Sequence, residues 1–284
     1  MITDETYTLS HGVKIPKLGL GTWFIDDDKA AQAVRGAVAA GYRNIDTAQA
    51  YGNERGVGEG VRTADVPREE LFVSTKLAAE IKDYEGAVAA IDSSLATMGL
   101  DYIDLMLIHS PQPWDDFRGG DYAEGNRAAW RALEEALAAG KLRSIGVSNF
   151  QQADIESLLE GTSVVPHVNQ LLVHVGNTPA ELIEYCTGKG ILVEAYSPMA
   201  HGEMMKNSEV TAMAERYGVS VPQLCIRYTL DLGTVSLPKT ANPAHMRDNA
   251  QVDFTISEED MDTLRGLEHR EYGEFSFFPV YSGK

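Results

Sequence analysis

The chain has 284 residues, 44% of them hydrophobic and without a compositional break, which predicts one globular domain over residues 1–284 with a substantial buried core. Twenty-four Lys and Arg against 42 Asp and Glu give a net charge of −18, which disfavours nucleic acid and anionic membrane surfaces as partners and demands a local basic site for any anionic ligand. Without an apolar run of about 18 residues or a signal-peptide pattern, neither a membrane span nor secretion is expected, and the default location is the cytoplasm.

In chain order, YTLSHGVKIPKL reads as a β-hairpin turning at His11 and Gly12. Strand-like runs follow at KLGLGT (17–22), YRNIDTA (42–48), LFVSTKL (71–77) and YIDLMLIH (102–109), then at SIGVSN (144–149), HVNQLLV (167–173), ILVEAYS (191–197) and TVSLPK (234–239). Segments of helical period alternate with them, among them DKAAQAVRGAVAAG, EGAVAAIDSSLATMG, NRAAWRALEEALAAG, DIESLLEG and PAELIEYCTGKG, mostly closing on glycine. Eight strands alternating with helices in 284 residues predict the α/β class, as a closed parallel (β/α)₈ barrel rather than an open sheet, with the hairpin covering the barrel floor. Cys186 and Cys225 lie in apolar contexts that predict buried free thiols rather than a bridge or metal site.

In such a barrel, chemistry gathers at the C-terminal ends of the strands. The polar residues that close the strand runs are Thr22, Asp46, Lys76, His109, Ser148, Asn149, Gln170, Ser197 and Lys239. Among them are an acid, a base and an imidazole, and Tyr51 follows the second strand at the start of a helix. An unperturbed phenol titrates near about 10, so a tyrosine acting as a general acid near neutrality calls for an adjacent cation. Lys76 is the candidate to lower it, with Asp46 as counterion and His109 to orient a substrate. Each also has a plainer reading: a strand-terminal Asp can cap a helix, a Lys can snorkel, and a His after an apolar run can be structural.

GLGTW (19–23), IDTAQAYGNE (45–54), STKL (74–77), LIHSP (107–111), GVSNF (146–150), NQ (169–170), AYSP (195–198) and PKTANPAHMRDN (238–249) resemble the ordered signature blocks of the aldo-keto reductases. The resemblance implies a monomeric TIM barrel that reduces aldehydes, ketones and dicarbonyls with NADPH and no metal. It makes Tyr51 the general acid, Lys76 and Asp46 its activators, and His109 the group that orients the carbonyl. Ser148, Asn149 and Gln170 would hold the nicotinamide carboxamide and Tyr196 would stack on its ring. Gly21, Thr22 and Trp23 would line the cofactor and substrate mouth, and Ser197 and Met199 would lie under the pyrophosphate.

Lys239 and Thr240 suit an adenosine 2′-phosphate, with His245 and Asn249 further along the same site. The family usually has arginine where this chain has His245, and Arg247 lies two residues on. Imidazole lacks the fixed charge and planar fork of guanidinium, so NADH is expected to support measurable turnover as well. Asp248 stands where the family has a longer Glu. On the substrate side, Trp23 and Trp114 are the predicted walls, with Tyr51 and His109 at the base. Ala78, where many members carry a bulky aromatic, and the short tail EYGEFSFFPVYSGK predict a roomy pocket with broad tolerance.

GVGEG (56–60) lacks GxGxxG spacing, and GxSxG and HExxH are absent, which argues against a dinucleotide loop there, an α/β-hydrolase and a zinc protease. Two rivals remain at this stage. A barrel glycosidase needs two carboxylates about 5 to 9 Å apart, for which Asp46 is the only clear strand-end candidate. A non-catalytic cofactor-binding subunit on the same barrel is the other.

Overall fold

A computed structural model describes residues 1–282; the last two residues of the predicted tail, Gly283 and Lys284, lie outside the described residues. Two short strands, β1 (Thr6–Thr8) and β2 (Lys14–Pro16), pair antiparallel around a turn containing His11 and Gly12. Gly12 adopts a φ of 92°, which a side chain would strain.

Eight further strands form one parallel sheet in sequence order: β3 (Gly19–Gly21), β4 (Asn44–Asp46), β5 (Phe72–Leu77), β6 (Leu105–Ile108), β7 (Ile145–Ser148), β8 (Val168–Leu172), β9 (Leu192–Tyr196) and β10 (Val235–Leu237). The sheet closes into a barrel where the Gly21 amide donates to the Pro238 carbonyl at 3.0 Å and the Ser236 amide to the Lys17 carbonyl at 2.9 Å. All eight predicted strands are present, each shorter than its predicted run. TVSLPK, for instance, keeps only Val235–Leu237, because Pro238 has no amide to donate to a ladder.

Helices alternate with the strands and cover the sheet. In α1 (Asp27–Ala39) the buried Val34 and Val38 share a core with Ile45 and Val73 of the sheet. α3 (Tyr84–Met98) starts at an Asp83 side chain that accepts from the Gly86 amide, and α4 (Val221–Asp231) at a reciprocal Ser220–Gln223 capping box. Both cysteines are free and buried.

Alternation along the strands builds the barrel interior in layers. Toward the floor the filling is apolar: Phe72, Leu105, Leu107, Val168 and Val235 cluster with Leu9 and Ile15, so the hairpin plugs the lower end. Gly146 leaves room there, since a Cβ on it would lie 2.5 Å from the Val168 carbonyl oxygen. Higher up, the same faces carry Asp46, Lys76, Ser148, Gln170 and Glu194, all buried. The polar layer therefore rests on a dry, packed base.

Candidate active site

Asp46 ends β4, Lys76 lies in β5 and His109 follows β6, so three adjacent strands deliver them to the same mouth. Lys76 is fully buried, and its Nζ donates to both Asp46 carboxylate oxygens at 2.7 Å and to the Thr47 carbonyl at 2.8 Å. The Tyr51 hydroxyl is 3.4 Å from the same nitrogen. The His109 ring meets Tyr51 edge-on, with centroids 5.7 Å apart, and Trp114 meets His109 edge-on at 5.1 Å.

Tyr51 ends a single 3₁₀ turn, Gln49–Tyr51, rather than starting a helix; α2 (Glu54–Arg62) begins three residues later. Two amides pin that turn. Gln49 accepts from the Ala78 amide at 2.9 Å and donates to the Ala90 carbonyl and the Ser94 hydroxyl. Asn53 accepts from the Thr47 hydroxyl at 2.7 Å and donates to the Thr22 and Ile25 carbonyls at 2.9 Å each. Gly52, at a φ of 66°, turns the chain between them.

The electrostatics correct one expectation. Burial pushes the Tyr51 phenol well above the ordinary tyrosine range, and the Asp46 carboxylate pushes it the same way. The predicted acidification by Lys76 does not prevail, because Asp46 lies closer to the ammonium than the phenol does. The Tyr51 hydroxyl is thus protonated at neutral pH. Burial, followed by the charges of Lys76 and Lys82, holds His109 well below the ordinary histidine range, so its ring is neutral. Its Nδ1 is buried without a partner. A bare lone pair there is less costly than a bare N–H, which assigns the proton to Nε2.

Above these groups a cavity of about 1200 Å³ runs from Trp114 to Asn249. Of the predicted catalytic, cofactor and substrate residues, Lys76 lies beneath it and all the others line it, as does Asp248, whereas Ala78 lies off it. On the cavity wall the Tyr196 hydroxyl donates to Asn149 Oδ1 at 2.8 Å, and Asn149 Nδ2 donates to the His109 carbonyl at 3.0 Å. Asn149 has a φ of 62°, and Arg118 steadies its peptide by donating to its carbonyl at 2.8 Å while paired with Asp154.

At the far end Lys239 has no carboxylate partner among the described residues. His245 lines the cavity there and Arg247 does not. An unpaired cation in so acidic a chain, at the end of a cavity with amide and hydroxyl groups at its other end, fits a phosphorylated dinucleotide.

The short tail predicts partial cover of the mouth; its aromatic contacts, its tie to the loop after β9 and a second inward carboxyl group escaped sequence reasoning. The tail turns back over the mouth: Trp23 lies parallel to Tyr281 with centroids 6.1 Å apart and edge-on to Phe278 at 4.8 Å. His201 stacks on Phe275 at 4.0 Å, and the Ser197 and Tyr281 hydroxyls are 2.8 Å apart, which ties the loop after β9 to the tail. Finally, Asp46 is not the only inward carboxyl group, because Glu194 of β9 is buried beside it. At 0% exposure Glu194 is out of a substrate's reach, which removes the glycosidase alternative.

A closed barrel with these groups at one mouth is the architecture of a carbonyl-reducing oxidoreductase, and comparison with known proteins agrees. The chain matches the Aldo/keto reductase family over residues 17–269 and belongs to it. It is 41% identical over 265 residues to the glyoxal reductase of Bacillus subtilis, covering 93% of this chain and 92% of that protein. An aldo/keto reductase crystal structure from Brucella melitensis superposes with a TM-score of 0.87 at 36% identity, covering 94% of this chain and 99% of the other. A Bombyx mori aldo-keto reductase, solved in complex with NADP, gives 0.85 at 34% identity and 98% coverage of each chain. The protein is an NAD(P)H-dependent oxidoreductase. Among the described residues, no helix is long and apolar enough to cross a membrane.

Proposed function

We propose that the chain is a one-domain reductase of small aldehydes, ketones and dicarbonyls that prefers NADPH, with Tyr51 as the proton donor. One observation carries this: a protonated phenol, 3.4 Å from a buried ammonium and edge-on to a neutral imidazole, stands at the floor of the cavity. A bound reduced nicotinamide supplies the hydride.

The chain's own groups do the rest. His109, with its proton on Nε2, donates to the carbonyl oxygen and orients it. Tyr51 then transfers its proton to that oxygen as negative charge develops, and the ammonium of Lys76 steadies the phenolate left behind. Asp46 holds the ammonium in place. Ser148, Asn149 and Gln170 would hold the carboxamide and Tyr196 the nicotinamide ring, which would bring the hydride within reach of the carbonyl carbon. Gly21 and Thr22 shape the first loop against it, while Ser197 and Met199 line the pyrophosphate stretch.

Lys239 and Thr240 favour a 2′-phosphate, with Asn249 on the adenine side. Exposed His245 adds no fixed charge, so NADH also turns over, less efficiently. Trp23 and Trp114 wall a substrate site with few polar anchors, which suits small carbonyls; the name of the Bacillus subtilis relative, glyoxal reductase, points to dicarbonyls among them. Loss of nicotinamide absorbance with a panel of aldehydes, ketones and dicarbonyls, each run with both cofactors, tests this. Turnover with NADPH exceeding NADH is expected; dinucleotide binding without turnover on any carbonyl would contradict it.

A further inference from the structure

Glu194 is an acid inside the barrel, on the same face of β9 as Tyr196 two residues on, and in register with Gln170 of β8. Gln170 Nε2 donates to Glu194 Oε2 at 2.8 Å and to Asp46 Oδ1 at 2.9 Å. Both amide protons of Gln170 are thereby committed to carboxyl groups, which leaves its carbonyl oxygen as the atom available to the cavity it lines.

The other oxygen, Glu194 Oε1, is buried without a partner, and so is Asn44 Oδ1. The Asn44 side chain borders the Glu194 carboxyl group. Hydrogen bonding from the Asn44 side chain lowers the Glu194 carboxyl less than burial raises it, and one Glu194 oxygen still lacks a donor, which favours the neutral acid over a bare buried charge. The charged groups facing Glu194 are Asp46 of β4 and Lys76 of β5, while Gln170 and Asn44 are neutral. Asp46 and Lys76 already pair with each other, so an ionised Glu194 leaves an uncompensated negative charge in the barrel. Burial, then the Asp46 charge, accordingly pushes the Glu194 carboxyl up to about 7.

We propose that Glu194 is a positioning residue for the reduction: it locks the Gln170 amide with its carbonyl oxygen toward the cavity, and losing its proton weakens Tyr51 as a donor. The inference rests on the reductase function proposed above. A second negative charge beside Asp46 competes for the field of Lys76 and makes the phenol harder to deprotonate, so reduction slows as pH rises through neutrality.

Three measurements test it on the intact protein. In wild type, kcat/KM for carbonyl reduction falls several-fold from mildly acidic to mildly alkaline pH; in Glu194→Gln, which keeps an acceptor for Gln170 but cannot ionise, that fall is lost. Infrared difference spectra without cofactor show protonated carboxyl absorption in wild type at mildly acidic pH, with a component that fades as pH rises and is missing from Glu194→Gln. Glu194→Leu, which removes the acceptor, binds NADPH several-fold more weakly in a fluorescence titration, whereas Glu194→Gln binds it as wild type does. Superimposable pH profiles, or the absence of a titrating carboxyl band, would overturn the proton-holding role, and unchanged NADPH affinity in Glu194→Leu would overturn the positioning role. If wild type reduces no carbonyl, the proposed function fails, while the infrared band and the binding titration still decide the case of Glu194.

Discussion

The Lys76 ammonium stands 3.4 Å from the Tyr51 hydroxyl, although the two side chains come from elements 25 residues apart. That proximity depends on Asp46, which accepts from the same nitrogen with both oxygens and holds it at the bottom of the cavity. The ammonium is thus anchored by a carboxylate and aimed at a phenol. The ammonium favours a phenolate, but burial and the Asp46 charge outweigh it, so the phenol stays above its ordinary range.

Removing the cation exposes how much the anchor depends on it. Lys76→Met leaves Asp46, 4% exposed, with the Gln170 amide but no cation, and breaking a buried pair in this way costs about 3–5 kcal/mol. Urea unfolding should register that loss, and the double variant Asp46→Asn with Lys76→Met should recover much of it. A single variant as stable as wild type would show that the pair is not a buried ionic unit.

Stability should also fall on mild acidification. Burial foremost holds four histidines below their ordinary value, with His167, His174 and His201 each at about 4 and His109 well below 6.5. At His174, Nδ1 donates to the Val175 carbonyl at 2.6 Å and Nε2 lies 2.9 Å from the Tyr272 hydroxyl, in a buried setting that favours the neutral ring. Folded-state values below the unfolded ones mean that the unfolded chain binds more protons between about pH 6.5 and 4, so stability drops as pH falls through that window.

Glu194 and Glu54 oppose this. Burial raises both, so the folded state binds their protons first, and their contribution drops as pH rises instead. Four histidines against two carboxyl groups, with the partly exposed His201 discounted, leave a net uptake of about one to two protons on unfolding. Urea unfolding at about pH 7 and about pH 5 should show lower stability at the acid value, and His174→Gln should flatten the slope. A rise in stability toward acid would contradict the assignment of neutral histidines.

Cofactor preference should respond to a single residue. His245 is exposed and lines the cavity near Lys239, where His245→Arg adds a fixed charge with bidentate geometry. A charged hydrogen bond to phosphate contributes about 1.5–3 kcal/mol, so the ratio of kcat/KM for NADPH over NADH should rise about tenfold or more. Lys239→Ala should lower it. An unchanged ratio in His245→Arg would remove position 245 from phosphate recognition.

Much of this was legible in the linear chain, because two local rules were enough to read it. The eight β-rich runs alternate with helical periods, and polar residues close the runs at Asp46, His109, Ser148 and Lys239, where a barrel gathers its chemistry. Glu194 was legible too, since it shares strand parity with Tyr196, but an acid inside ILVEAYS is easily passed over when only strand ends are searched. Other features depend on distance in space. Nothing local says that Phe278 and Tyr281 fold back on Trp23, or that Asp46 lies closer to Lys76 than Tyr51 does and so outcompetes it for the ammonium.

The role of Tyr51 is tested most directly by Tyr51→Phe, assayed for NADPH-dependent carbonyl reduction alongside a fluorescence titration of NADPH binding. The ring still fills its place over Lys76, so affinity should match wild type, while turnover should fall about 10²- to 10⁴-fold with the proton donor gone. Turnover close to wild type with intact binding would mean that another group protonates the carbonyl oxygen.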